Sequence, residues 1–261
     1  MQKISVVTIT YNAETTLPKT LESVLAQTYR NVEHLIVDGA SKDNTLALTH
    51  DYARLSADRD CGHEVIIVSE PDKGIYDAMN KGLRLATGQY IVFMNAGDRF
   101  HASDTLEHVA QWYTDSDKAP AVVYGDTNIV DAEGQFLYRR RLTPPETLSW
   151  KSFRTGMRVC HQAFYARTDL AQQTPYDLHY RFSADVDWCI RIMKKAAGKH
   201  LPMVNMHEVV ADYLEEGATT RNHRASLRER FHVMSRHYGL PTTLAMHAWF
   251  VVRNIINKLK T

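Results

Sequence analysis

The chain has 261 residues, of which 44% are hydrophobic and 23% are charged, and its formal net charge at pH 7 is +1. These values are ordinary for a globular protein with one large domain, or with one domain and an appended piece. The near-neutral charge and the lack of a recognisable DNA- or RNA-binding motif argue against a nucleic-acid partner.

Two features of the sequence bear on where the protein works. The three cysteines, Cys61, Cys160 and Cys189, are scattered and odd in number, which is typical of a reducing compartment. The N-terminal stretch MQKISVVTIT lacks the basic and apolar regions of a secretory signal, and no window of about 18 apolar residues is present. We therefore expect a cytoplasmic protein, either free or peripheral on the cytoplasmic face of the inner membrane.

The first hundred residues alternate short apolar strands with amphipathic helices. The predicted strands cover residues 4–10, 32–37, 65–68 and 90–94. The predicted helices between them cover residues 17–25, 43–55 and 75–86. Strands that are nearly continuous in apolar residues are typical of a parallel sheet with helices on both faces. The pattern therefore predicts an α/β fold with a mostly parallel, Rossmann-like sheet.

The regular alternation weakens after residue 104. Helices are predicted near 104–114 and 185–197, and shorter strands at 121–125 and 136–141. Two further helices, over 221–238 and 242–260, are separated by Gly239-Leu240-Pro241. We expect a boundary near residue 218, with residues 219–261 forming a C-terminal helical extension.

Acidic residues stand at or just past the ends of three predicted strands: Asp38, Asp72 and Asp98. Aspartate is a common turn and helix-capping residue, so each one alone has a structural interpretation. The carboxyl ends of parallel strands form the ligand-binding edge of such a sheet, however, and three carboxylates there suit ribose hydroxyls or a cation.

Two nucleotide-binding motifs are missing at the places where they would be needed. Residues 10–14, TYNAE, contain no glycine between the first strand and the first helix, which excludes a dinucleotide-binding fingerprint. A P-loop is also lacking. A nucleotide bound without a glycine cradle needs another partner for its diphosphate, and a divalent cation held by carboxylate oxygen would serve.

Four segments together resemble the family 2 glycosyltransferases with the GT-A fold, of the bacterial surface-polysaccharide or O-antigen type. They are 4-ISVVTITYNAETTLPKTLESVLAQTYRNVEHLIVDGASKDNT-45, 70-EPDKGIYDAMNKGLRLATGQYIVFMNAGD-98, 161-HQAFY-165 and 183-SADVDW-188. The resemblance implies an inverting hexosyltransferase. It would move a sugar from a nucleotide-sugar, with UDP-sugar as the first choice, to a hydroxyl of a lipid-linked saccharide in surface-polysaccharide or O-antigen synthesis.

The same resemblance divides the chain by role. Residues 1–218 would be the GT-A catalytic domain, with a donor half at about 1–100 and an acceptor half at about 101–218. On the donor side it implies base packing by Tyr11, base or ribose binding by Asp38, a further donor contact from Asp72, and phosphate contact from Lys73.

The tip of the fourth strand, 95-NAGD-98, departs from the commonest family pattern, because it carries one carboxylate where many relatives have two or three. The resemblance makes Asp98 the ligand of a Mn²⁺ or Mg²⁺ ion that bridges the donor diphosphate, with weak affinity for want of further carboxylates. Asn95 would bind sugar or ribose hydroxyls through its amide. Gly97 would let the ligand approach closely.

The acceptor side is expected to involve Asp185, Asp187, His161 and Gln162. A carboxylate opposite the leaving group can take the acceptor proton, and the resemblance assigns that catalytic role to Asp185. Asp187 would orient the acceptor or be exposed, since the two aspartates diverge by about 200° at the start of a helix. His161 and Gln162 would line the acceptor or diphosphate site. The structural alternative is that the aspartates cap the helix.

The last predicted helix, over 242–260, has one wide apolar face with basic residues towards its other side. Such a helix suits a membrane interface, and packing on the catalytic domain or on a partner subunit is the open alternative. Two rival functions remain at this point. A nucleotidyltransferase lacks support because residues 10–14 are not rich in glycine and basic residues, and a catalytically decayed nucleotide-sugar-binding protein is suggested by the thin Asn-Ala-Gly-Asp tip.

Overall fold

The structure is a computed structural model of the chain, and it describes residues 2–113, 119–215 and 223–259. A nine-stranded sheet runs through it, with helices on both faces. The predicted α/β class is confirmed. The predicted boundary near residue 218 lies outside the described residues.

The first half of the sheet is parallel. Its strands are β1 (Ile4–Thr10), β2 (Val32–Asp38), β3 (His63–Ser69) and β4 (Tyr90–Phe93). They lie in the order β3-β2-β1-β4, and every neighbouring pair is parallel. The strands and helices predicted for this half are confirmed, because each buried strand is a nearly unbroken apolar run. The order reverses between β1 and β4, which makes a topological switch point at the carboxyl ends of these strands.

Three helices connect these strands: α1 (Leu17–Leu25), α2 (Thr45–Asp58) and α3 (Ile75–Leu85). Pro18 occupies the first turn of α1, where a missing N–H costs little. Gly74 precedes α3 with a φ of 120°, a conformation that favours glycine. The loop that leads into α3 thereby turns back over the carboxyl edge of the sheet.

The second half of the sheet mixes strand directions. It contains β5 (Arg99–Phe100), β6 (Val122–Val130), β7 (Phe136–Arg139), β8 (Phe164–Arg167) and β9 (Met203–Leu214). The sheet continues from β4 in the order β8-β6-β9-β5, with β7 paired to the side of β6. Strand β8 is antiparallel to both β4 and β6, whereas β6 and β9 are parallel. Strands β5, β8 and β9 were not among the sequence predictions.

Three further α-helices accompany the second half of the sheet: α4 (Thr105–Gln111), α5 (Thr168–Gln172) and α6 (Ala184–Gly198). Helix α6 is held on the sheet by Trp188, which is fully buried. The Trp188 ring stacks on Tyr176 with a centroid separation of 4.9 Å and meets Phe93 edge-on at 5.7 Å. These contacts fix the N-terminus of α6 at the edge where β4 ends.

The chain ends in α7 (His223–Tyr238) and α8 (Leu240–Leu259), which are separated at Gly239. Gly239 has a φ of 82°, a left-handed conformation that ends a helix at low cost. Val233 and Met234 of α7 are buried, so this helix belongs to the packed body of the protein. Across the described residues, no helix has both the length and the apolar character needed to cross a bilayer.

Candidate active site

Tyr11, Gly39 and Asp72 lie close together at the carboxyl ends of β1 and β2 and form the floor of a candidate donor cleft. A methyl group added at Gly39 would lie 2.5 Å from Asp72 Oδ2 and 3.2 Å from Tyr11 Cδ2. Tyr11 is 60% exposed, although tyrosine usually buries much of its ring. An exposed aromatic face next to a partly exposed carboxylate is suited to a nucleoside, with the base on the ring and a polar group on Asp72.

The β3–α3 loop holds Asp72 in place. The backbone N–H of Gly74 donates to Asp72 Oδ1 at 2.8 Å, and Lys81 Nζ donates to the carbonyl of Pro71 at 2.8 Å. Lys81 also pairs with Glu70 at 2.9 Å. Lys73 is exposed in this loop, and its backbone N–H donates to Asp77 Oδ2 at 3.0 Å. The loop therefore holds Asp72 close to Gly39 and leaves Lys73 exposed.

Asp38 lies beneath this cleft and is fully buried. Its Oδ2 accepts hydrogen bonds from the Ser41 N–H at 3.0 Å and from Ser69 Oγ at 2.6 Å, and its Oδ1 accepts one from Ser41 Oγ. The carboxylate thus ties the end of β2 to the end of β3 and supports Gly39. In this structure Asp38 shapes the cleft from below, and its direct contact with a base or ribose stays a prediction.

Asn95 and His161 connect the tip of β4 with the 3₁₀ helix His161–Ala163. Asn95 Nδ2 lies 2.9 Å from His161 Nε2, at hydrogen-bond distance. When the amide donates, a neutral His161 ring carries its proton on Nδ1. Asn95 Oδ1 is buried and has no hydrogen-bond partner within the described residues. A buried amide oxygen without a donor suits a ligand hydroxyl.

Asp185 stands in the first turn of α6 and faces this pair. Its Oδ2 lies 3.6 Å from His161 Nδ1, and Tyr76 donates its hydroxyl to Asp185 Oδ1 at 3.2 Å. The side chain of Asp185 keeps 18% of its surface exposed, so a substrate can reach it. Burial would raise the pKa of Asp185, but His161, Arg230 and the Val186 N–H outweigh burial and hold it below the usual range. The carboxylate is therefore ionised at neutral pH.

Asp98 is turned inwards and bonded to the protein. Gln162 Nε2 donates to its Oδ2 at 2.7 Å, and the Leu214 N–H donates to its Oδ1 at 3.1 Å. Burial raises the pKa of Asp98 to about 6, against the lowering effect of Gln162, His161 and the Leu214 N–H. Gly97 has a φ of 105°, and a methyl group there would lie 2.8 Å from Leu214 Cδ2. In this structure Gly97 leaves room for β9, where the sequence had suggested room for the ligand.

The contacts of Asp98 bear directly on the predicted metal site. Both oxygens of Asp98 already accept hydrogen bonds from the protein, and its exposed fraction is 5%. No three His, Cys, Asp or Glu side chains come together as a metal centre anywhere in residues 2–113, 119–215 and 223–259. Asn95 Oδ1 adds one neutral oxygen, which is few ligands for Mg²⁺ or Mn²⁺. The arrangement does not fit a cation held by Asp98, and that role stays a prediction which the geometry does not favour.

Asp187 is held by two residues that are not among the predicted site residues, Arg191 and His237. It is fully buried; its Oδ2 accepts a hydrogen bond from Arg191 Nε at 2.6 Å, and its Oδ1 lies 2.7 Å from His237 Nε2. Burial would raise the pKa of Asp187, but His237 and Arg191 outweigh it and hold it below the usual range. Asp187 therefore joins α6 to α7, and the alternative that it is exposed is wrong. An acceptor-orienting role stays a prediction that these contacts do not support.

Glu229 was missed by the sequence analysis. It lies on α7, and its carboxylate accepts the backbone N–H groups of Arg181, Phe182 and Ser183 at 2.9, 2.7 and 3.1 Å. These residues form the turn immediately before Asp185. A glutamate on an exposed-looking helix carries no sequence signal for such a contact. Tyr76 was also missed, although its place at the start of α3, after a strand end, was a usable signal.

The family model for glycosyl transferase family 2 matches residues 5–173. Among curated relatives, a PGL/p-HBAD biosynthesis glycosyltransferase of Mycobacterium bovis is 35% identical over 214 residues, which cover 82% of this chain and 77% of the relative. An uncharacterized glycosyltransferase of Mycobacterium tuberculosis is 31% identical over 194 residues, which cover 72% of this chain and 68% of the relative.

Solved structures share the fold at lower identity. The S. aureus TarS fragment 1–349, in complex with UDP-GlcNAc, has a TM-score of 0.68 at 18% identity, over 89% of this chain and 64% of that one. The mannosyltransferase PcManGT of Pyrobaculum calidifontis, in complex with GDP-Man and Mn²⁺, has a TM-score of 0.60 at 19% identity, over 95% of this chain and 75% of that one. These likenesses establish the GT-A fold. With the matches in sequence, they show that the chain belongs to glycosyl transferase family 2 and is a glycosyltransferase.

Proposed function

We propose that this glycosyltransferase moves a sugar from a nucleotide-sugar to a hydroxyl of a saccharide acceptor with inversion, and that Asp185 is the catalytic base. The observation that carries the proposal is the placement of Asp185. It is a partly exposed carboxylate with a lowered pKa, 3.6 Å from His161, and His161 contacts the tip of β4 through Asn95. The base and the tip of the donor half are thus joined by two side-chain contacts.

The reaction needs one proton transfer and one displacement. The acceptor hydroxyl gives its proton to Asp185 while its oxygen forms a bond to the anomeric carbon. The bond from that carbon to the diphosphate breaks, and the nucleoside diphosphate leaves with the bonding electron pair. A carboxylate that is ionised at neutral pH can serve as this base. The acceptor oxygen attacks the anomeric carbon from the face opposite the diphosphate, and this geometry gives inversion.

The donor is proposed to lie over Tyr11, Gly39 and Asp72, with its sugar towards Asn95. Tyr11 supplies an exposed ring, and the unpartnered Asn95 Oδ1 can accept a hydroxyl of the sugar or ribose. Lys73, which is exposed in the loop that carries Asp72, is proposed to meet phosphate. A UDP-sugar is our first choice of donor, and a lipid-linked saccharide in surface-polysaccharide or O-antigen synthesis our first choice of acceptor pathway. No step of this proposal requires a cation held by the protein.

The test separates binding from chemistry. Titration calorimetry with UDP, GDP, dTDP and CMP identifies the nucleotide, and the Asp185→Asn variant is then assayed with the matching donor. We expect unchanged nucleotide affinity and a loss of transfer of about 100-fold or more, because the amide cannot take the proton. Transfer that persists in Asp185→Asn would remove Asp185 from this role. A folded wild-type protein that binds none of the four nucleotides would support the decayed-site alternative.

A further inference from the structure

Helix α8 turns an apolar face outwards. Among residues 240–250 and 252, every exposed position of α8 carries an apolar residue: Leu240, Pro241, Leu244, Ala245, Ala248, Trp249 and Val252. Leu240 and Leu244 are each 54% exposed, Trp249 is 47% exposed and Val252 is 45% exposed. We call this set of residues the apolar face of α8. The sequence continues the same spacing at Ile255, Ile256 and Leu259.

The opposite side of α8 is fixed on α7, so the outward direction of this face is set by packing. Thr243 is fully buried. The ring of His247 meets the ring of Phe231 from α7 at a centroid separation of 5.0 Å. A helix in this position would normally turn its polar side to water. Here the side towards water is the apolar one, which marks an interaction surface.

Charge identifies the kind of partner. Residues 219–261 contain eight of the 31 Lys and Arg residues but only one acidic residue, Glu229, and the other 23 basic residues stand against 29 acidic ones. The C-terminal extension is therefore strongly basic while the rest of the chain is acidic. Two copies meeting through α8 would bring two basic extensions together, which is unfavourable. Binding to an anionic surface would instead be strengthened by the basic residues of the extension.

We propose that α8 docks on an anionic lipid surface with its apolar face at the headgroup boundary, and that the net positive charge of residues 219–261 favours anionic lipid. Amphipathic helices bind membranes in this way without crossing them. Each Lys or Arg close to an anionic leaflet strengthens binding by about fivefold. This docking would place the whole chain beside the membrane, whichever sugar it transfers.

The experiment is co-sedimentation of the full-length protein with vesicles. One set contains phosphatidylglycerol and phosphatidylcholine in equal parts, and the other contains phosphatidylcholine alone. We expect binding to the anionic set, weaker binding to the neutral set, and loss of the difference as salt rises from about 0.1 to about 0.5 M. The double variant Leu244→Asn/Trp249→Asn should lower the partition coefficient about tenfold or more.

Trp112→Asn is the matched control, because Trp112 is 43% exposed on another part of the surface and should leave partition unchanged. Thermal unfolding of each variant checks the fold, and Val252→Asn replaces the double variant if that one is destabilised. Equal partition of variant and wild type, or no vesicle binding, would overturn the proposal. The proposal would also be overturned if the wild-type protein is a dimer in size-exclusion chromatography, the double variant is a monomer, and neither protein binds vesicles. The assay contains no sugar donor, so its outcome is independent of the proposed transfer.

Discussion

The imidazole of His161 lies between two groups from different halves of the protein: its Nδ1 is 3.6 Å from Asp185 Oδ2, and its Nε2 is 2.9 Å from Asn95 Nδ2. The 3₁₀ helix His161–Ala163 carries this ring to the edge where β4 ends. We infer that His161 orients the proposed base and stabilises its anion. When Asn95 donates to Nε2, the proton of the neutral ring lies on Nδ1, which faces the carboxylate. A change at this ring should alter both the rate and its pH dependence.

We expect His161→Ala to move the acid limb of the pH profile of kcat/KM to higher pH. His161 is the largest of the influences that lower the pKa of Asp185 against burial, so its removal lets that pKa rise. The rate on the pH plateau should also fall by about tenfold to 100-fold, since the base is less well oriented. His161→Gln keeps a donor and should recover part of the plateau rate. An unchanged acid limb in His161→Ala would contradict the role given to this ring.

Variants of Asp98 distinguish whether this residue binds a cation or stabilises the contact with β9. If its carboxylate only accepts hydrogen bonds from Gln162 and Leu214, Asp98→Asn should keep nucleotide affinity within a few-fold. The new amide oxygen can accept from the Leu214 N–H, and its NH2 can donate to Gln162 Oε1 once that amide turns over. Calorimetry with and without EDTA should then give the same affinity for wild type and variant. Asp98→Ala should weaken the fold, since it leaves the Gln162 amide and the Leu214 N–H unpaired. Metal-dependent binding that is lost in Asp98→Asn would instead establish the metal site.

Asp98 should also make the free energy of unfolding depend on pH. The pKa of Asp98 is raised to about 6 in the folded protein. It stands near 3.9 in an unfolded chain. The folded state binds more protons between these values, so the contribution of Asp98 to stability is full below about pH 4 and is lost as pH rises through about 6. Comparing urea unfolding of wild type and Asp98→Asn across this range should show the variant gaining relative stability with pH, by up to about 3 kcal/mol. A constant difference would contradict this.

The parallel half of the fold could be predicted because its local and global patterns agree. Buried parallel strands are rich in apolar residues, and each is followed by a segment whose apolar residues recur at helical spacing. Strand β9 gave no such signal. Its sequence MVNMHEVVADYL mixes short apolar pairs with polar residues, and its pairing with β6 is interrupted around His207, which has a φ of 58°. Against β6, strand β9 has two extra residues between Asn205 and Val209 and one more between Val209 and Ala211, and this odd total breaks the period-two pattern in the middle of the strand.

The candidate site could be located from the sequence, but the orientation of its carboxylates could not. Strand ends place Asp38, Asp72 and Asp98 at one edge, yet Asp38 and Asp98 turn inwards to donors that come from other parts of the chain. The donor to Asp98, Gln162, is separated from it by 64 positions, and sequence spacing carries no information on such a contact. Asp187 shows the same limit, because its partner His237 lies on a helix assigned to the extension.

Asp187→Ala should lower stability far more than turnover. It would leave Arg191 and His237 without their shared carboxylate in a buried position, which costs about 3 kcal/mol or more. The pKa of Asp187 is held low by these partners against burial, so its contribution is present above about pH 4 and is lost as pH falls below that. The free energy of unfolding at pH 7 should fall, while kcat at a temperature where the variant is folded stays within a few-fold of wild type. A large loss of kcat in a folded variant would favour the predicted acceptor role.

Gly39→Ala should weaken donor binding with little effect on the free energy of unfolding. The new methyl group would lie 2.5 Å from Asp72 Oδ2 and 3.2 Å from the Tyr11 ring. Asp72 is only partly buried and can swing away, so the fold tolerates the change, but its carboxylate then leaves the position proposed for the donor. We expect nucleotide affinity to fall about tenfold, the effect of losing one good polar contact. Gly198→Ala is the matched control, since a methyl group there meets nothing within 4 Å. Equal affinities for the two variants would show that the nucleotide does not lie over Gly39.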